Sequence, residues 1–325
     1  CRHVMAGRGG GGVTARGRQA VERLGELTRT PGRANLLPKR IAHLCQATLA
    51  ASLAAMEGGP GAGLAAMLAI PAAAQQMPTS QPAIISIVRE IEKPGHFGLH
   101  EAVEVRWADL NRRNNYPYGS VALVANSGVQ EVWWVTAYDG LGSFGKAAMF
   151  GSDNPAYTQA LSKIAAEDGE HVNNVIFSQA QAVPDASYGT FPDVSKMRVF
   201  SVLTVQMRPG MEPMFTDIAK KYAGIMQAKG VPTSWRAYEV IAGAPGGTYL
   251  VFSSFPSWEA VEAERKASMS AFMGASPADL EGIMKASREA VVSTNARYFT
   301  VNPGMSLVPK EWASDPFWAP KKTTP

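Results

Sequence analysis

Ile84-Ile85-Ser86-Ile87-Val88 and Val199-Phe200-Ser201-Val202-Leu203 are two apolar, β-branched runs of one pattern. Each leads to a Pro-Gly pair, Pro94-Gly95 and Pro209-Gly210, and then into a helical stretch that ends at a proline, Pro117 or Pro232. All these points repeat at one offset of 115 residues, without a gap. Further on, Asn154-Pro155-Ala156 matches Ser276-Pro277-Ala278 and Asn174-x-x-Phe177 matches Asn295-x-x-Tyr298, at offsets of 122 and 121. Self-similarity of this kind marks a structural unit written twice.

Each unit reads strand, helix, strand, strand, helix, strand. In the first, a β-branched strand over 84–91 is followed by a helix over 96–113, with Leu99, Val103, Trp107 and Leu110 at helical spacing. Strands over 119–126 and 129–138 flank the hairpin signal Asn126-Ser127-Gly128. A helical segment over 143–169 breaks at Asn154-Pro155, a capping residue followed by proline at the first helical position. A strand over 172–183 closes the unit. The second unit reads as strand 198–207, helix 211–229, strands 234–242 and 248–255, helices 257–273 and 277–291, and strand 293–301, with a turn over Gly243 to Gly247.

The order βαββαβ predicts α+β architecture: two tandem ferredoxin-like units, each an antiparallel sheet with its helices on one face. A sheet whose second face met water would alternate apolar and polar residues. Val199 to Val205 and Trp133-Trp134-Val135 do not alternate, so the second face needs a cover. The other unit's sheet supplies it, giving a closed pseudo-dimeric α/β barrel within one chain. The expected organisation is an arm and signal segment over 1–74, unit one over 75–190, unit two over 191–303, and a Pro/aromatic tail over 304–325 that packs back through Trp312, Phe317 and Trp318.

Composition sets the bounds. The 325 residues allow one large domain or two ordinary ones. The formal charge of +4 misleads: residues 1–40 hold nine Lys/Arg and two Asp/Glu, leaving 22 and 25 for the rest. A body at −3 argues against a nucleic-acid partner. Lys39-Arg40, the Ala/Leu-rich stretches Ile41 to Met56 and Leu64 to Ile70, and Ala72-Ala73-Ala74 follow the order of a secretory signal, with cleavage expected after Ala74 and a periplasmic or secreted product. Both cysteines, Cys1 and Cys45, lie before that point. No uninterrupted run of about 20 apolar residues exists, so no integral span is expected in the mature chain.

The body resembles the dimeric α/β-barrel superfamily, its NIPSNAP-like and antibiotic-biosynthesis-monooxygenase-like branches in particular. The resemblance is carried by the strand Val199–Met207, Pro209-Gly210, the amphipathic helix Met214-Phe215-Ile218-Tyr222-Ile225, Gly230-Val231-Pro232 and the strand Trp235–Ile241, within residues 84–303. It implies a barrel that binds a small apolar or aromatic molecule between sheet and helices, as a cofactor-free oxygenase or isomerase, in a monomer or homodimer. The alternative is a non-catalytic envelope or stress-associated module. Haem proteins of the superfamily hold their haem in the C-terminal unit on a proximal histidine, and here no histidine lies between Phe191 and Pro325. No cofactor is therefore expected, with metal or haem left open.

Three histidines follow Ala74. His96, His100 and Glu104 are spaced i, i+4, i+8 along one helix face and form a candidate metal set. The matching positions of unit two are Met211, Phe215 and Ala219. His100 and His171 are candidate proton-handling catalytic residues. Trp133, Tyr138, Asn174, Tyr238, Asn295 and Arg297 are candidate ligand-binding residues, aromatic walls with a few polar groups. G-x-S-x-G and H-E-x-x-H are absent, and Gly140-x-Gly142 reads as too short for a phosphate loop.

Overall fold

The computed structural model describes residues 77–319. The expected signal segment, its cleavage point and both cysteines lie outside them. Eight strands and six α-helices follow in the order β1 (Ile84–Glu92), α1 (Phe97–Arg113), β2 (Ser120–Ala125), β3 (Glu131–Tyr138), α2 (Leu141–Ala148), α3 (Pro155–Asp168), β4 (Val172–Ala182), β5 (Val199–Met207), α4 (Pro213–Ala228), β6 (Arg236–Ala242), β7 (Thr248–Phe255), α5 (Trp258–Met273), α6 (Pro277–Ala290) and β8 (Val291–Leu307).

The strands close into one barrel in the order β1-β3-β2-β8-β5-β7-β6-β4, all pairs antiparallel. The halves meet at two seams. At β2·β8, Leu123 stands opposite Val301; at β4·β6, Ala180 stands opposite Val240. Closure explains the absence of alternation in the sequence: one strand face lines the barrel and the other receives helices. Ile85, Ile87, Leu123, Trp133, Val202, Leu250, Phe299 and Val301 form the interior. At about 1.5–3 kcal/mol for each large apolar side chain buried, this shared core outweighs what either half could bury alone.

The duplication is visible in local geometry. Gly95 and Gly210 adopt φ of 83° and 82°, the left-handed turn that follows β1 and β5 and that glycine takes without strain. Both strands bulge at the same place, between Ile91 and Glu92 and between Gln206 and Met207. Asn154 and Ser276 cap α3 and α6, each accepting a backbone N–H from three residues on, with proline next in line. At the second seam, Gly243 (φ 87°) abuts β4 so closely that a Cβ would lie 2.0 Å from the Phe177 carbonyl oxygen.

Three sequence expectations are corrected. The last strand runs past Val301 to Leu307, because the chain bulges out after Asn302 and then continues along β2: Asn302 Oδ1 accepts the Gly304 and Met305 N–H groups, and the strand rejoins β2 at Ser120. The register also shows that Asn174 and Asn295 do not match. Asn174 faces Ile91, whereas Asn295 faces Thr204, whose twin is Arg89. On α1, Val103 and Leu110 are buried as expected, but Leu99 is 56% exposed and Trp107 half-buried, and the polar His100, Glu104 and Asn111 turn inward beside Val103, Ala108 and Leu110. The glycine run after β3 does extend to Gly145, but β3 pairs antiparallel with both neighbours and no parallel crossover follows α2. It is not a dinucleotide-binding unit.

The tail beyond β8 covers one mouth of the barrel. Trp318 is buried in the main core, its Nε1 donating to the Ser195 carbonyl at 2.8 Å. Arg198 binds Asp315 at 2.6 Å and lies 3.9 Å above the Phe317 ring.

Candidate functional site

Outward from the barrel, between the first-half sheet and α1 and α3, lies a buried polar cluster. Alternation along β1 sends Ile85, Ile87 and Arg89 into the barrel and Glu90 toward the helices, with Glu92 following past the bulge. α1 presents His100 and Glu104 one turn apart. α3 ends with Asp168. His100 is fully buried, and Glu92, Glu104 and Asp168 are nearly so.

Both imidazole nitrogens face carboxylates. His100 Nδ1 lies 2.9 Å from Glu92 Oε1; Nε2 lies 2.9 Å from Glu90 Oε2 and 3.3 Å from Asp168 Oδ1. Gln130 donates to Glu92 Oε2 at 2.8 Å, and Trp134 packs edge-on to the imidazole. Asp168 Oδ1 is buried without a hydrogen-bond donor of proper geometry. One donor atom each from Glu90, His100, Glu104 and Asp168 fall within 4.8 Å of one another.

Four carboxylates facing one imidazole are electrostatically unbalanced. Burial disfavours charge on His100, but hydrogen-bonded Glu90 and Glu92, with Asp168 near, overcome it and raise its pKa to about 10. Asp168 is pushed up to about 7 by burial and by Glu90, against the opposing pull of His100. Glu104 is driven well above the usual carboxylate range by burial, then by Glu90 and Asp168. A cation at the centre of this set would relieve each of these strains.

The second half serves as an internal control. The strand registers and coincident bulges pair Glu90 with Val205, Glu92 with Met207 and His100 with Phe215, while Glu104 corresponds to Ala219. Val205, Met207 and Phe215 belong to one buried apolar cluster, with Phe215 stacked on Tyr249 at 3.9 Å. The same scaffold is thus filled with hydrocarbon in one half and with ionisable groups in the other. The polar set is not a requirement of the fold.

The expected site residues separate into several environments. His100 and Glu104 join the cluster. His96 does not: its Nδ1 faces His171 Nδ1 at 3.1 Å, and both rings are only half-buried. Trp133 and Arg297 point into the barrel, where Arg297 and Arg89 grip the fully buried Glu131 and the Arg89 guanidinium lies 4.6 Å from the centre of the Trp133 ring. Arg297 also donates to the Ser127 and Val129 carbonyls. Tyr138 packs on the helix side with Ile84 and Ala147. Asn174 and Asn295 are exposed. Tyr238 lines an apolar barrel cavity of about 100 Å³, with Ile85, Leu123, Val135 and Phe252. The cavity therefore lies inside the barrel, on the opposite sheet face from the expected place between sheet and helices.

Sequence reasoning missed Glu90, Glu92 and Asp168. Two signals pointed to them: two acids at i and i+2 share one face of a strand that opens with apolar residues, and an acid ends α3, where the helix dipole disfavours negative charge.

No protein-family model matches the sequence, and no curated protein matches it. Among solved structures, a candidate monooxygenase from Lactobacillus acidophilus is similar at 10% identity and TM-score 0.44, covering 68% of this chain and 94% of that one. An anthrone oxidase-like protein is similar at 12% and 0.44, over 69% and 93%. A chlorite dismutase variant from Candidatus Nitrospira defluvii is similar at 9% and 0.42, over 70% and 94%. The topology itself, two βαββαβ sheets joined edge to edge into one closed eight-stranded barrel, gives this chain a pseudo-dimeric α/β-barrel fold within a single polypeptide.

Proposed function

We propose that the protein is a metal-dependent barrel that holds one divalent ion on Glu90, His100, Glu104 and Asp168. The observation that carries this reading is a buried His-carboxylate set with surplus negative charge, at a place the twin half fills with apolar side chains. His100 would bind through Nε2, with Glu92 fixing Nδ1, the carboxylate–histidine–metal arrangement that orients a ligand ring. Three carboxylates and one imidazole suit Mn²⁺ or Fe²⁺ over thiolate-seeking ions. Four protein ligands leave an octahedral ion two positions for water or a substrate oxygen, so the metal would supply Lewis-acid or oxidative chemistry.

Chelator-stripped full-length protein should take up one Mn²⁺ by titration calorimetry. At free metal of about 100 times Kd, its stability should rise by about 2.7 kcal/mol. Glu104→Gln and Asp168→Asn should abolish both effects. Equal Mn²⁺ binding by wild type and both variants would defeat the reading.

A second reading, small-molecule binding in the barrel, is favoured by the cavity at Tyr238. It supports binding better than cofactor-free catalysis: burial holds the Tyr238 phenol above its ordinary pKa, so the group stays a neutral hydroxyl rather than a phenolate base. A benzene-sized ligand that stabilises wild type but not Leu123→Trp would support it; no stabilisation of wild type would remove it.

A further inference from the structure

We infer that His96 and His171 hold a second transition-metal ion, outside the Glu90–His100–Glu104–Asp168 centre and of a different preference. The inference extends the metal reading but stands on separate residues. The two Nδ1 atoms are 3.1 Å apart. Two imidazole nitrogens bound to one ion at about 2.0–2.1 Å stand about 2.9–3.4 Å apart between octahedral and tetrahedral angles, so the pair already has the bite of a chelate. Both rings are half-buried, which leaves room for water to complete the coordination.

The backbone holds this bite. His171 N–H donates to the Asp168 carbonyl at 2.7 Å, Lys93 N–H to the His171 carbonyl at 2.9 Å, and His96 N–H to the Lys93 carbonyl at 3.0 Å. These bonds interlock the turn after β1 with the turn before β4. The same two turns adjoin Glu92 and Asp168, and His100 lies one helical turn beyond His96. The pair therefore stands beside the inner cluster, whose surplus negative charge favours cations nearby. Lys93, the nearest basic residue in sequence, turns its Nζ to the Glu170 carbonyl at 2.8 Å.

The second half again removes the feature as a unit. The equivalents of His96 and His171 are Met211 and Ala290, where Arg208 N–H donates to the Ala290 carbonyl at 2.7 Å as Lys93 does to His171. There α6 runs straight into β8 with no intervening turn, so the turn over 169–171 that carries the second imidazole is particular to the first half. Two neutral nitrogens select Cu²⁺, Ni²⁺ or Zn²⁺, whereas the oxygen-rich inner set favours Mn²⁺ or Fe²⁺. The two sites should therefore sort ions between them.

The test is Cu²⁺ added at one equivalent to stripped full-length protein, read by electron paramagnetic resonance. Wild type should show coupling to two nitrogens. That signature should be lost in His96→Ala and in His171→Ala, with affinity falling more than about tenfold, and kept in Glu104→Gln. Comparison of variants separates this pair from His3, His43, Cys1 and Cys45 in the same chain. Absence of the two-nitrogen signature in wild type, or its survival in both histidine variants, overturns the inference. Lack of Mn²⁺ uptake alongside a two-nitrogen copper signal would defeat the inner centre alone.

Discussion

Replacing Glu131 with glutamine removes the one carboxylate that two guanidiniums share inside the barrel. Arg89 reaches it from β1 with contacts of 2.8, 3.1 and 3.2 Å, and Arg297 reaches it from β8, so the cluster ties the first half to the second. The Glu131 side chain is wholly buried, Arg297 is 8% exposed and Arg89 29%. Breaking a buried ion pair costs about 3–5 kcal/mol, because a charge is left without its counterpart. Arg89 can return toward water and Arg297 keeps two carbonyl acceptors, which places the expected loss at the low end, about 3 kcal/mol. With a urea m-value of about 3 kcal/mol/M, the unfolding midpoint should fall by about 1 M without a change in slope. Replacing all three residues together, Arg89→Met, Glu131→Leu and Arg297→Met, should recover most of that loss, since an apolar set of similar volume removes the stranded charges. A shift below about 0.3 M for Glu131→Gln, or a triple variant less stable than the single one, would refute this account of the barrel interior.

Residues 75–190 and 191–325 expressed separately should each aggregate or form a homodimer that rebuilds a barrel; two stable monomers by light scattering would contradict the shared core. Trp318→Ala should cost about 3–5 kcal/mol in chemical denaturation, as for other buried aromatics, and a loss under 1 kcal/mol would mean that the tail does not seal the barrel mouth. Metal-free protein should lose stability as pH rises. Asp168, raised to about 7, erodes stability between its unfolded value near 4 and about 7; the His100 contribution is complete below about 6.5 and lost as pH climbs through about 10. Denaturation midpoints that are higher at pH 9.5 than at pH 6 would reverse this sign.

The fold was legible because it rests on repetition and on apolar strands, both of which survive in a linear reading. Ile84–Val88 and Val199–Leu203 predicted twin strands, and the missing alternation predicted a covered second face. Glycine at the turn after each first strand and a capping residue before Pro155 and Pro277 fixed the boundaries locally. The site was less legible. His100 and Glu104 share a helix and could be paired by spacing, but Glu90, Glu92 and Asp168 come from other elements, joined to them only by the packing of α1 and α3 on the sheet. His96 fitted the same helical spacing, yet the turn before β4 offers it His171 instead. Asn174 and Asn295 appeared equivalent because sequence spacing does not show that residues 169–171, between α3 and β4, have no counterpart between α6 and β8, which shifts the last strands relative to each other.

The union of both sheets in one chain has an evolutionary consequence. In a barrel made from two copies of one subunit, every substitution appears twice, so a charged centre and the instability it brings are doubled. Here the gene can alter one half and leave the other as ballast. Phe215, Met207 and Val205 keep their half anchored, while His100, Glu92 and Glu90 carry buried charge whose cost falls on one half alone. Broken symmetry of this sort lets a single scaffold experiment at one address without risking collapse at both.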